Sequence, residues 1–144
     1  MSDAAGIIVL VGRLLFAFFF GFVAGFGGHV KNSEGLEGYA RQVGFPAAGI
    51  AGWPTGLWLI AGSLSIGLGI WPDIGALMII AFLLLALTYF HRYWEIEDPM
   101  QKMTQQQLLW RNVFGIGACL VFFGTFVALG PELRYVITPA LFDF

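Results

Sequence analysis

The chain is poor in charge and nearly devoid of cysteine, and both shortages narrow what it can be. Lys and Arg total seven and Asp and Glu nine, so 11% of the 144 residues are charged, against about 25% in an ordinary soluble domain. That composition excludes a conventional water-facing surface. The net charge is −2 and no basic run occurs, so nucleic acid is not an expected partner. Cys119 is the one cysteine. Thiol–disulfide catalysis needs a second thiol, so this chain cannot perform it alone. Cys119 also lies inside an apolar run, where a thiol is a poor nucleophile and a good packing residue. Met1–Gly6 has no basic residue and no small-x-small cleavage site follows, so the first apolar run is expected to persist in the mature protein. A phosphate-binding glycine loop and a serine-hydrolase elbow are both missing.

What is present is long apolar runs. Ala4–Gly28 contains one charge, Arg13; Ala47–Ile70 and Ile74–Phe90 contain no Asp, Glu, Lys or Arg apart from Asp73 between them; Leu108–Gly130 contains only Arg111. A bilayer core of about 30 Å takes roughly 20 apolar residues in a helix. The expected fold is therefore an all-α membrane protein, a single domain over residues 1–144. It is expected to be an antiparallel four-helix transmembrane bundle with a short amphipathic surface helix.

Local signals sharpen that expectation. Gly21 and Gly25 in the first span, and Gly52, Gly56, Ala61, Ser65 and Gly69 in the second, have the spacing of small residues at close helix contacts. Leu36, Tyr39, Ala40 and Val43 fall on one helical face, which predicts an amphipathic helix over Ser33–Val43 resting on the membrane surface. Gly44 stops it and Pro46 opens the next element. Trp71-Pro72-Asp73 predicts a tight turn that makes the second and third spans antiparallel neighbours. Asp98, Pro99 and Gln101 form an N-cap, a first-turn proline and a capping-box partner, so the last helix should begin at Pro99. Pro139 breaks the tail, where Phe142 and Phe144 are expected to rest on the surface.

Four spans place both termini on one face. Loops 29–46 and 91–107 share the other, together with Lys31, Arg41, Arg92 and Lys102, so the loops are expected to be cytoplasmic and the termini outside.

Several of these segments resemble the DoxX family. They are Gly38-Tyr39-Ala40-Arg41-Gln42-Val43-Gly44-Phe45-Pro46-Ala47-Ala48, then His91-Arg92-Tyr93-Trp94-Glu95-Ile96-Glu97-Asp98-Pro99, and Arg111-Asn112 with Gly115 and Gly117. Gly12-Arg13-Leu14 and Gly69-Ile70-Trp71-Pro72 add to the likeness, which spans roughly Gly12 to Phe123. One feature departs from it. Many members carry a Lys after a Gly near the end of the first span, where this chain reads Gly25-Phe26-Gly27-Gly28-His29, with Lys31 beyond. The resemblance implies a four-helix membrane fold in a bacterial plasma membrane. It also implies kinship with proteins tied to quinone-coupled thiosulfate oxidation and to membrane complexes with redox or sulfur-transfer enzymes.

Two groups of residues carry the candidate chemistry. Arg13 lies about nine residues, or roughly 13 Å, into its span. A charge there costs at least ~2.5 kcal/mol on insertion scales and must face the protein or snorkel. Topology makes Asp73 its expected partner; the pair would be structural, or Arg13 would anchor a quinone carbonyl or an anionic head group. The second group, His29, His91, Trp94, Asp98, Arg111 and Asn112, comes from three helix ends on the loop face. His91 titrates in the physiological range and is suited to pass a proton to a quinone; a structural hydrogen bond is the alternative. Asp98 also reads as a cap and Trp94 as an interfacial anchor. His29 and His91 lack the spacing of a metal or haem site, so no metal is assigned. Two functions follow: a noncatalytic subunit or adaptor partnered by other membrane or peripheral proteins, or a quinone-interacting subunit of a membrane oxidoreductase. A small transporter would need oligomerisation, because few polar residues line any span.

Overall fold

A computed structural model describes residues 1–143; Phe144 lies outside the described residues. The first helix, α1 (Asp3–Ala17), starts where Ser2 Oγ accepts the Ala5 amide at 3.3 Å. It continues without a break as a π-helical segment, Phe18–Val30. The surface helix α2 (Ser33–Gln42) forms where the apolar stripe predicts it. Then come α3 (Trp53–Leu68), α4 (Pro72–Tyr89) and α5 (Pro99–Leu129). Strands are missing among the described residues.

Three helical stretches are long and apolar enough to cross a membrane: Asp3–Val30, Pro72–Glu95 and Pro99–Glu132. The second apolar run forms a shorter helix than its sequence suggests. Its 16 residues in α3 extend about 24 Å at 1.5 Å per residue. The cause lies in Pro46, Gly49, Gly52 and Pro54. These residues leave Ala48–Ile50 as a single 3₁₀ turn and delay the helix to Trp53. Gly52 is held hard against Ser33, whose Oγ accepts the Trp53 amide at 3.0 Å and so starts α3 from the end of the surface helix.

Small residues set the packing. A Cβ on Gly25 would meet the Gly56 carbonyl at 3.0 Å, and one on Gly21 would meet Ser63 Cβ at 3.0 Å, so the π-helical segment lies directly on α3. α3 packs in turn on α4, and α4 on α5. The buried core runs through Phe20, Leu59, Ile66, Ile79, Leu83 and Phe126, with Cys119 fully enclosed beside them. The outer surface is strongly apolar, with Ile8, Leu15, Phe114 and Val121 among its exposed side chains. In a bilayer such side chains face tails as apolar as themselves.

The terminal end is closed by the C-terminal tail. Arg13 is fully buried, but Asp73 is not its partner. Arg13 Nε donates to the Ile66 carbonyl at 2.8 Å and Nη2 donates to Gly67 at 2.9 Å and Tyr135 at 3.0 Å; Nη1 reaches the Arg134 carbonyl at 3.4 Å. Asp73, also fully buried, accepts the Leu141 and Phe142 amides on Oδ2 at 2.7 and 2.9 Å. The expected ion pair is thus replaced by two separate clasps on the backbone. The reason is geometric: α3 ends at a left-handed Gly69, φ 67°, which turns the Ile66 and Gly67 carbonyls inward to meet a fork of five donors. The Gly69 carbonyl accepts the Ile137 and Thr138 amides at 2.9 Å each. An ion pair between Asp3 and Arg134 brings the two ends of the chain together.

Candidate functional site

At the opposite end, the helices spread apart around a cavity of about 910 Å³. The π-helical segment contributes Phe19, Phe20 and His29 to its lining. The α2 end of the cavity is tied to the end of α4: Tyr39 Oη donates to the Phe90 carbonyl at 3.1 Å, and Arg92 Nη2 donates to the Val43 carbonyl at 2.7 Å. Phe45 packs on Tyr89 and Phe90 with ring centroids 5.1 and 5.4 Å away. The walls are mostly aromatic and aliphatic, a usual composition for small-molecule sites.

A few polar groups interrupt these walls. His29 Nδ1 lies 2.8 Å from the Ala51 carbonyl. A carbonyl only accepts, so Nδ1 carries a proton, and Nε2 is the acceptor in the neutral ring. The same ring meets Phe82 edge-on at 5.4 Å. His91 Nδ1 donates to Gln105 Oε1 at 2.8 Å, joining the end of α4 to the wet first turns of α5. Asn112 is 6% exposed, lines the cavity, and its side-chain amide has no hydrogen-bond partner among the described residues. Among the described residues, the fully enclosed side-chain atoms without a partner are Ser63 Oγ and Asp73 Oδ1; the Asn112 amide instead opens onto the cavity. Arg111, next to it on the rim, forms no ion pair or hydrogen bond among the described residues. Other polar groups are already engaged: Thr55 Oγ1 donates to Ile50 at 2.6 Å and Trp58 Nε1 to the Met78 carbonyl at 2.8 Å.

The cavity gathers His29, His91, Arg111 and Asn112, and leaves out Trp94 and Asp98. Asp98 is the N-cap of α5, its Oδ1 accepting the Gln101 amide at 2.8 Å. Trp94 is 56% exposed, on a 3₁₀ turn over Tyr93–Glu95 that carries it away from the helices. Of the six residues expected to converge on the loop face, the cavity lining takes in His29, His91, Arg111 and Asn112. Arg13 and Asp73 lie at the other end of the molecule. Lys31 stacks over Phe26 at 5.1 Å and is not part of the lining. No group of three His, Cys, Asp or Glu side chains occurs among the described residues.

Sequence reasoning did not find Tyr39, Phe45, Trp58 or Phe82 as wall residues. These rings come from separate elements, so no local pattern in the sequence joins them.

A family model described as DoxX matches residues 8–92, more than half of the chain. Comparison with curated proteins and with solved structures found no match.

Proposed function

We propose, from the premise that this chain belongs to the DoxX family of small integral membrane proteins, that it is a quinone-interacting subunit of a membrane redox complex. The observation that supports this most is the Asn112 amide, without a hydrogen bond among the described residues and open to an aromatic cavity of about 910 Å³. A quinone head is a flat ring with carbonyl acceptors at opposite edges. Asn112 Nδ2 and Arg111 supply donors for one carbonyl, the aromatic walls cover the ring faces, and His91 and His29 stand close enough to the site to handle protons. The volume lies within the usual range of roughly 300–1,000 Å³ for ligand pockets. In this reading electrons come from a partner protein docked on the membrane.

In this reading α3 crosses the membrane as the fourth member of an antiparallel four-helix transmembrane bundle. Supporting this, α3 runs from the cavity end, where Trp53 meets Ser33, to the terminal end, where Gly67 meets Arg13. The cavity then lies near the cytoplasmic leaflet of a bacterial plasma membrane, because the basic loop residues favour that side.

Titration of the purified protein in detergent with a short-chain benzoquinone, followed by quenching of tryptophan fluorescence, tests the proposal. Saturable quenching is expected. Asn112→Leu should weaken it about tenfold, the equivalent of one lost hydrogen bond to a buried amide. Folded His91→Phe should retain binding more weakly and lose any quinone-coupled turnover in the assembled complex. Binding and turnover unchanged in both variants would favour a pure adaptor.

A further inference from the structure

The cavity is closed on some sides by helix packing and on others only by side chains. α1 with its π-helical extension packs on α3, α3 on α4 and α4 on α5. The ring is not completed in the same way, since the first and last helices meet mainly through side chains. Phe16 and Phe122 touch edge-on with centroids 5.0 Å apart, and Phe20 reaches the surface of Gly115, where an added Cβ would lie 3.4 Å from Phe20 Cζ. Next to these contacts in the chain are Phe19, on the first helix, and Phe114, on the last. Both line the cavity and both are exposed on the outer surface, Phe114 to 77%. That surface is apolar along this stretch of both helices, with Phe18, Phe22, Val113 and Val121 also exposed, so the rim faces lipid tails.

A second seam, between α3 and α4, also shows exposed lining residues in Trp58 and Leu85. It is bridged by the hydrogen bond from Trp58 to the Met78 carbonyl at 2.8 Å, and below that bridge Gly62 and Gly75 bring the two backbones together. The end of the cavity facing water is covered by α2 and tied down through Tyr39, Arg92 and Phe45.

We propose that the ligand enters and leaves the cavity sideways from the bilayer, between the first and last helices, through the gap rimmed by Phe19 and Phe114. This rests on the quinone reading and adds to it that the ligand is one dissolved in lipid, presented head-first along the membrane plane, with its head passing two rotatable phenyl rings and its tail left in the bilayer. Aromatic side chains suit such a gate. Each swings about two side-chain torsions without breaking a hydrogen bond, whereas passage between α3 and α4 would break the Trp58 bond.

Rates distinguish this route from binding itself. The protein, carrying Cys119→Ala to remove the native thiol, is reconstituted in vesicles and mixed rapidly with vesicles containing a decyl-substituted benzoquinone; tryptophan quenching reports arrival, and dilution into quinone-free vesicles reports exit. Phe114→Cys alkylated with a pyrene maleimide blocks the proposed gap, and Leu85→Cys with the same label blocks the other seam. Entry and exit should both slow about tenfold or more with the label at 114, as expected for an access step, and remain within about twofold of the unlabelled protein with the label at 85. Slowing at 85 with none at 114 would overturn the proposed route while leaving quinone binding intact. Unlabelled protein that shows no saturable quenching in detergent or in vesicles would overturn the quinone reading, and the route with it.

Discussion

Arg13 shows how one side chain is made tolerable in an apolar setting. Its charge was evident in the sequence, and so was the need to satisfy it. Its partners were not, because they are backbone carbonyls from the end of α3 and from the tail at residues 134 and 135. Backbone groups leave no mark in a sequence, which is why Asp73 looked like the natural partner. Arg13→Lys keeps the charge and loses the planar fork, so at least two of these carbonyls lose their donor. The expected cost is about 1–3 kcal/mol, read as a lower unfolding temperature in detergent and faster proteolysis of the tail beyond Leu133. A variant as stable as the parent would show that the tail is not held by Arg13. Asn112 is the matching case at the other end. It was singled out in the sequence as part of the loop-face group, and it lines a cavity that sequence could not reveal.

Element boundaries followed local chemistry closely where caps and prolines spoke clearly. α2 came from its apolar stripe, and the start of α5 from Asp98-Pro99. Two features were hidden. α3 starts later than its apolar run, since the run contains residues suited to membranes but not to helix. The π-helical form of Phe18–Val30 is also invisible to composition, as its residues are equally apolar in either helix type. The α5 cap gives a clean test. Asp98→Ala removes the acceptor for the Gln101 amide and should cost about 1 kcal/mol, seen as faster amide exchange over the first turn of α5 with the membrane-embedded part unaffected. Exchange spreading through Asn112 would mean that the cap also secures the cavity wall.

At the scale of the whole molecule, membrane class and the all-helical fold were legible because the bilayer imposes length and composition directly; three of the four expected spans form helices long and apolar enough to cross. The cavity was not, because its walls come from five elements far apart in the chain. Its polar members had been placed on one face of the membrane, yet distance along a sequence does not tell which of them turn inward. The proposed orientation rests on the basic loops and is tested with single cysteines at Ser2 and Gln105 in a Cys119→Ala background. An impermeant maleimide applied to intact cells should label position 2 and spare 105; the reverse pattern would invert the topology.

The central claim is that the cavity beneath α2 holds a quinone. Its most direct measurement is photolabelling in native membranes with an azido-benzoquinone, followed by mass spectrometric mapping of the modified residues. The account predicts saturable labelling, displaced by unmodified quinone, on residues lining the cavity between Phe19 and His29 and between Arg111 and Gly115. Labelling that does not saturate, or that falls only on the lipid-facing surface away from His29, His91 and Asn112, would contradict it.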